Sequence, residues 1–379
     1  MSLWERIKNE YENNSKFWNY YGSYLVNPFD DEREAKYFIY NYFYNGCKEC
    51  VLNEWKDFDE MEKSYRDIHV VYVFFIGVML QHIIDPLLKI ESEFDKQGEG
   101  YTFAYLWYLV CLAHDLGYVY ESENVEQIIN RVNPHINSRV LRMMVYNKYL
   151  GEKFLICKYS CIDKKSENLC RKMCRGQIKY NNGTIINRNM YSRKLKDNYF
   201  RYRLLHWGKI DHGIIGADKF FSDMYYNYFD NYKKRIEGDL TSFTNIHNRY
   251  FSCEHFKIFT YVADCIATHN VFRGSKDNDK LYEQYELNEI SFDNFEMISY
   301  EKNPLLFILC LADTLEPTKR FRNTNPRKVL ENIDIVYNKE EKRIYLKVSE
   351  TFFEGEEVKE YIKNVKNLQD WCDVSVEEY

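Results

Sequence analysis

The sequence predicts a mainly α-helical bundle with a small α+β appendage at its C-terminal end. Three observations predict it. The chain has 379 residues, 45% of them apolar and 29% charged, which is the balance of a globular protein with a sizeable core. Apolar stretches at helical lengths recur at 70–80, 106–112, 256–268 and 305–311. After Asp334 the pattern changes to short alternating segments around a polar turn, which reads as strands.

Residues 1–63 read as an N-terminal helical extension of two or three helices, the second of them started by Pro28 with Asp30 and Asp31. Cys47 and Cys50 have the gap of a metal knuckle, but one such pair is half a site. A helical core follows over 64–325. Its first helix, 67–90, is nearly all apolar from Val70 to Leu80 and is therefore central. His69 and His82 on that helix point in different directions and lie about 20 Å apart along its axis, so they cannot serve one centre. His82, ahead of Asp85 and Pro86, is read as a structural or surface histidine.

A polar connection over 91–100 leads to the helix that runs straight into His114 and Asp115 and stops at Gly117. A charged pair at the end of a buried helix is costly unless compensated, and a metal ion is the usual compensator. Imidazole beside carboxylate suits a divalent metal such as Mn, Fe or Zn. Two adjacent ligands cannot complete a coordination sphere, so the others come from elsewhere. His69 opens an apolar run, His212 starts an apolar helix, His269 ends one, and Asp313 closes another.

Residues 150–210 form a Cys-rich and basic insertion. Cys157, Cys161, Cys170 and Cys174 are candidates for a structural zinc site if their i, i+4 pairs lie on facing helices; reduced buried thiols are the alternative. Between Arg171 and Lys209 there are eleven Lys or Arg and one acid, Asp197, so a local anion pocket is expected there. Arg193, Lys194, Arg201 and Arg203 are its candidate contacts, since arginine suits bidentate phosphate binding. His206 is a candidate for acid catalysis or phosphate contact. Asp211 is the expected N-cap of the helix bearing His212, and Gly216 with Ala217 lets another helix approach closely. The stretch 274–301 reads as a surface loop. Pro304 starts the helix that presents Asp313, and Lys319, Arg320 and Arg322 then meet a substrate phosphate if the chain turns back over the pocket. Residues 330–379 form the appendage: a hairpin, a helix over 356–371, and a return strand at 374–376.

In this order, the segments Arg66-Asp67-Ile68-His69, Leu112-Ala113-His114-Asp115-Leu116-Gly117, Asp211-His212-Gly213, Ala267-Thr268-His269-Asn270 and Leu311-Ala312-Asp313-Thr314 resemble the HD superfamily of metal-dependent phosphohydrolases over roughly residues 60–325. The resemblance implies an HD-domain helical bundle. It selects His69 over His82 and implies the ligand set His69, His114, Asp115, His212, His269 and Asp313, with Asp115 bridging two divalent transition metals, Mn or Fe. The implied activity is hydrolysis of a phosphate ester or anhydride of a nucleotide or similar small substrate; the candidate catalytic residues are Asp115 from the resemblance and His206, Arg201 and Arg203 from the basic segment and its surroundings. The family also contains two-iron oxygenases with much the same ligands, and a catalytically inactive nucleotide-sensing member is a further alternative. The chain lacks the paired glycines and proline of cyclic-dinucleotide members after the last histidine, and it lacks the His-Asp-x-x-Glu-Asp pattern of the alarmone hydrolases.

Composition bounds the rest. A formal charge of −6 gives no global reason to bind nucleic acid. No signal peptide is read at the N-terminus, and the 70–80 stretch is too short to span a bilayer. Eleven cysteines then read as reduced thiols in a cytoplasmic setting. The expected partner is a small phosphorylated substrate, with a homo-oligomer left open.

Overall fold

The computed structural model describes residues 1–13, 27–39, 66–91, 100–118, 178–186, 202–203, 211–214, 216–217, 220–221, 253–270, 279–285, 297–319, 321, 325–349 and 356–378. In chain order its elements are α1 (Leu3–Asn13), α2 (Glu32–Ile39), α3 (Arg66–Ile84), β1 (Lys89–Ile90), β2 (Tyr101–Thr102), α4 (Phe103–Ala113), β3 (Ile178–Lys179) and β4 (Ile185–Ile186). There follow α5 (Cys253–Thr268), α6 (Asp279–Gln284), α7 (Pro304–Leu315), α8 (Pro326–Leu330), β5 (Ile333–Asn338), β6 (Arg343–Val348), α9 (Glu356–Asn367) and β7 (Val374–Glu378). The protein is mainly α-helical with a small C-terminal β-sheet.

Helix α3 is the axis on which α1, α2, α4 and α7 pack. Its stretch Asp67–Ile84 is long and apolar enough to cross a membrane, but 78% of it is buried within the protein, as befits a core helix. It ends sooner than the sequence pattern suggests. Pro86 disfavours helical geometry at Asp85, whose Oδ1 instead accepts the Leu87 N–H at 3.2 Å. The chain then forms β1, paired antiparallel with β2. Thr102, at the end of β2, accepts the Tyr105 N–H and caps α4.

The crossing of α3 and α4 depends on a missing side chain. A Cβ on Gly77 would lie 2.0 Å from Cζ2 of Trp107. That ring cannot give way easily, because it is fully buried and its Nε1–H donates to the Phe74 carbonyl at 2.9 Å. Helix α7 is fixed at its start by Asn303, whose Oδ1 accepts the Leu306 N–H at 3.2 Å and the Tyr261 hydroxyl at 2.6 Å. One side chain thus caps α7 and ties it to α5. Tyr180, beside the β3–β4 hairpin, extends this network through a 2.8 Å hydroxyl contact with Tyr261. The sequence reading assigned 274–301 to a loop; the structure places the short helix α6 within it, with Tyr285 packing edge-on against Tyr202.

The C-terminal sheet has the order β5-β6-β7. Strands β5 and β6 form the expected hairpin, in register from Ile333↔Val348 to Asn338↔Arg343. Strand β7 returns parallel to β6, with α9 as the crossover. Alternate residues Ile344, Leu346 and Val348 are buried, and Val358, Tyr361 and Val365 of α9 are buried in the same core. The Tyr361 hydroxyl donates to the Leu315 carbonyl at 2.6 Å, joining this layer to the end of α7.

Replacing Gly77 by Ala forces the α3–α4 crossing apart or breaks the Trp107–Phe74 hydrogen bond. Overpacking of this kind costs roughly 1–3 kcal/mol, and chemical denaturation should show the loss with little change in helical content.

Candidate metal centre

The site is assembled from helix ends. His114 is the C-cap of α4 and Asp115 follows it; both are fully buried. His69 lies in the first turn of α3, His269 follows the last residue of α5, and Asp313 lies near the end of α7. His212 belongs to a helical turn that rests on the end of α4. A Cβ on Gly117 would lie 1.9 Å from the His212 carbonyl oxygen, and one on Gly216 would lie 3.1 Å from the Gly117 nitrogen. Two glycines therefore let the backbones touch, and the close approach foreseen at Gly216 brings His212 to the His114–Asp115 pair.

Two groups of possible ligands result. His69, His114, Asp115 and Asp313 offer atoms that all lie within 4.8 Å of one another, and so do Asp115, His212 and His269. Asp115 belongs to both. Its Oδ2 is 3.3 Å from His69 Nε2 and its Oδ1 is 3.4 Å from His114 Nε2. Asp313 Oδ1 stands 3.4 Å and 3.6 Å from the same two nitrogens.

The histidine tautomers decide whether a cation fits. His114 Nδ1 is 2.7 Å from the Cys111 carbonyl and His269 Nδ1 is 2.6 Å from the Ile266 carbonyl. A carbonyl only accepts, so each Nδ1 carries the proton and, in the neutral ring, each Nε2 is a bare lone pair. These lone pairs face other imidazole nitrogens: His114 Nε2 faces His69 Nε2 at 3.2 Å, and His269 Nε2 faces His212 Nε2 at 3.3 Å. Nitrogen pairs and carboxylate oxygens gathered in this way are the donor set of a divalent transition-metal site. The residues fit two such ions, with Asp115 shared. The cluster suits metal-activated hydrolysis.

Protonation accords with this. Burial, reinforced by His212, lowers the His269 pKa to about 3. Burial and the Lys319 ammonium oppose a proton on His69, but Glu316, Asp115 and Asp313 outweigh them and raise its pKa to about 10. Burial would push the Asp115 carboxyl up, yet the charges of His114, Lys319 and His69 hold it well below the usual carboxylate range. Asp313 is held low against burial by Lys319, His114 and His69.

Lys319 is the cation at the rim. Its Nζ lies 2.6 Å from Asp115 Oδ2, 3.2 Å from Asp313 Oδ1, and 5.0 Å above the Tyr118 ring. The Tyr118 ring stacks in turn on His212 at 3.8 Å. Lys319 and Asp313 are each 25% exposed while His69, His114 and Asp115 are sealed, so the centre opens on the Lys319 side. After α7 the chain thus brings Lys319 to the centre, while Arg320 and Arg322 lie outside the described residues.

Arg203 is tied to the residue that precedes His212. Its Nε is 3.2 Å from Asp211 Oδ2. Asp211 is the N-cap expected from the sequence: its Oδ1 accepts the Ile214 N–H at 2.8 Å, and its Oδ2 accepts from Asn270 at 2.9 Å. Arg203 thus braces the turns bearing His212 and His269. His82 contacts Glu10 at 3.0 Å, away from the centre, as its position suggested. Arg193, Lys194, Arg201, His206 and the four cysteines Cys157, Cys161, Cys170 and Cys174 lie outside the described residues. Sequence reasoning missed Glu316, which packs against His69; its one signal was a carboxylate three residues beyond Asp313. No family model, curated protein or solved structure matches the chain.

Two metal ions per chain are expected, one for each ligand group. His212→Ala and His269→Ala should each reduce the content to one, while Asp115→Ala, which removes the shared ligand, should deplete both; elemental analysis of purified protein checks this. Metal binding should also release protons in a predictable way. At pH 7 the metal-free His69 still holds the proton that ligation must remove, whereas His269 is already neutral. Calorimetry in buffers of different ionisation enthalpy should therefore register about one proton released from His69 at neutral pH, vanishing as pH rises through about 10.

Proposed function

We propose that the protein is a two-metal phosphohydrolase of the HD type that cleaves a phosphate ester or anhydride bond of a nucleotide or similar small substrate. The observation that carries the reading is the shared Asp115 between two His-rich ligand groups, with the Lys319 ammonium against the same carboxylates. Bound there, two divalent ions supply Lewis acidity toward phosphoryl oxygens and lower the pKa of water. His69, His114 and Asp313 would hold one ion and His212 and His269 the other, with Asp115 available to both. Lys319 binds a phosphoryl oxygen at the open side and orients it toward the centre. Tyr118, stacked between Lys319 and His212, keeps that ammonium at the rim. Arg203 steadies Asp211, and with Arg201 it supplies positive charge on the approach. His206 serves as the acid toward the leaving group.

A screen of metal-loaded protein against nucleotides and phosphate esters, read by phosphate release, tests the proposal. Asp115→Ala should abolish turnover. Dioxygen consumption by iron-loaded protein without phosphate release would instead establish the oxygenase chemistry that the same ligands permit. Lys319→Met is the sharper variant. A hydrogen bond to a charged group contributes roughly 1.5–3 kcal/mol, so its loss should lower kcat/KM by about 10- to 150-fold with both metals retained. An effect within about twofold would remove Lys319 from the substrate contacts.

A further inference from the structure

The two ligand groups are not equivalent, and the difference lies behind one imidazole. His114 and His269 are each fixed through Nδ1 by a backbone carbonyl of their own helix. His69 is fixed by a side chain from another helix: its Nδ1 lies 2.5 Å from Glu316 Oε2. Glu316 is 1% exposed. Its other oxygen accepts the Thr318 N–H at 2.5 Å, which holds the turn carrying Lys319. The carboxylate therefore has one oxygen committed to a backbone donor and the other to the imidazole.

A carboxylate behind a ligand histidine fixes the ring's orientation and tautomer, and it makes the far nitrogen a stronger donor than a carbonyl does. His69 also belongs to the group with four candidate ligands, whereas the other has three. We propose that Glu316 is the positioning residue that makes the His69–His114–Asp115–Asp313 position the tight one of the pair, the Asp115–His212–His269 position being filled second. This rests on the metal-binding part of the functional reading but not on the identity of the substrate.

Glu316→Gln separates this role from simple packing. The amide keeps the size of the carboxylate, and its oxygen can still accept from Thr318. Its NH2 then faces His69 Nδ1 and donates to it, which forces the ring proton onto Nε2, the nitrogen that must ligate. Manganese or zinc titrated into metal-free protein against a chromogenic chelator should give two phases in the parent. In Glu316→Gln the tight phase should weaken by about 10- to 100-fold, with the second phase unchanged. Nitrogen-15 NMR of labelled histidine in the metal-free protein at high pH should show the His69 proton moved from Nδ1 to Nε2, a shift that a purely structural role would not produce. Unaltered tight-phase affinity together with an unaltered tautomer overturns the proposal. A parent protein that binds no metal overturns both this proposal and the functional reading, whereas two-phase binding without phosphate release overturns only the latter.

Discussion

The structure depends on how the buried carboxylate of Asp115 is neutralised. It sits with no exposure between two pairs of imidazoles, at the end of a helix whose other residues are almost all apolar. Removing an ion from water costs several kcal/mol even after relaxation, and breaking a buried pair leaves that cost uncompensated. In the metal-free chain the positive charges that meet it include the ammonium of Lys319 and the proton on His69. Each is also held by Asp313. The group is thus arranged around positive charge before any ion is added.

Helix ends are where such a group can be built at low cost. The last carbonyls of a helix have no partner within it. His114 and His269 use that fact, each donating Nδ1–H to the carbonyl three residues back and so turning the other nitrogen toward the centre. One hydrogen bond satisfies the helix end, fixes the tautomer and aims the ligand. Close packing of the helix bearing His212 against Gly117 then brings the second pair within reach, and the Asp211–Arg203–Asn270 network holds the turns from behind.

The parts of this centre that were legible in the sequence are those with a local signature. A histidine or aspartate at the border of an apolar helix is visible because hydrophobic periodicity ends there, and His69, His114, Asp115, His212, His269 and Asp313 all have that setting. Asp211 was legible as a cap for the same reason, and the C-terminal hairpin through its alternation. Glu316 had no comparable mark. Its partner is 247 residues away, and only the packing of α7 on α3 brings them together. Gly77 was equally silent, since a glycine in a helix reveals nothing of the Trp107 ring that fills its place. Arg203 was read by its charge as a substrate contact; the structure adds an ion pair of its Nε with Asp211, a relation that charge patterning does not encode. The early end of α3 at Asp85 was readable from Pro86, but the apolar run outweighed it.

Charge balance bears on the substrate class proposed for this centre. Asp115, Asp313 and Glu316 bring three negative charges to the centre, and Lys319 brings one positive charge. Two divalent ions would more than offset what remains, leaving an excess of positive charge at a centre whose His69, His114 and Asp115 are sealed from solvent. Electrostatic interactions are stronger there than in water, because the surroundings screen them less. A neutral substrate would leave that excess standing, whereas a phosphate group with two negative charges would cancel it. The opening beside Lys319 has the same preference, since an ammonium drawn toward carboxylates inside can serve an anion arriving from outside with little movement of its chain. Both the buried centre and its rim would therefore favour an anion over a neutral substrate, as the proposed phosphohydrolase reading requires, and they would do so through the same few side chains that hold the buried carboxylate in place.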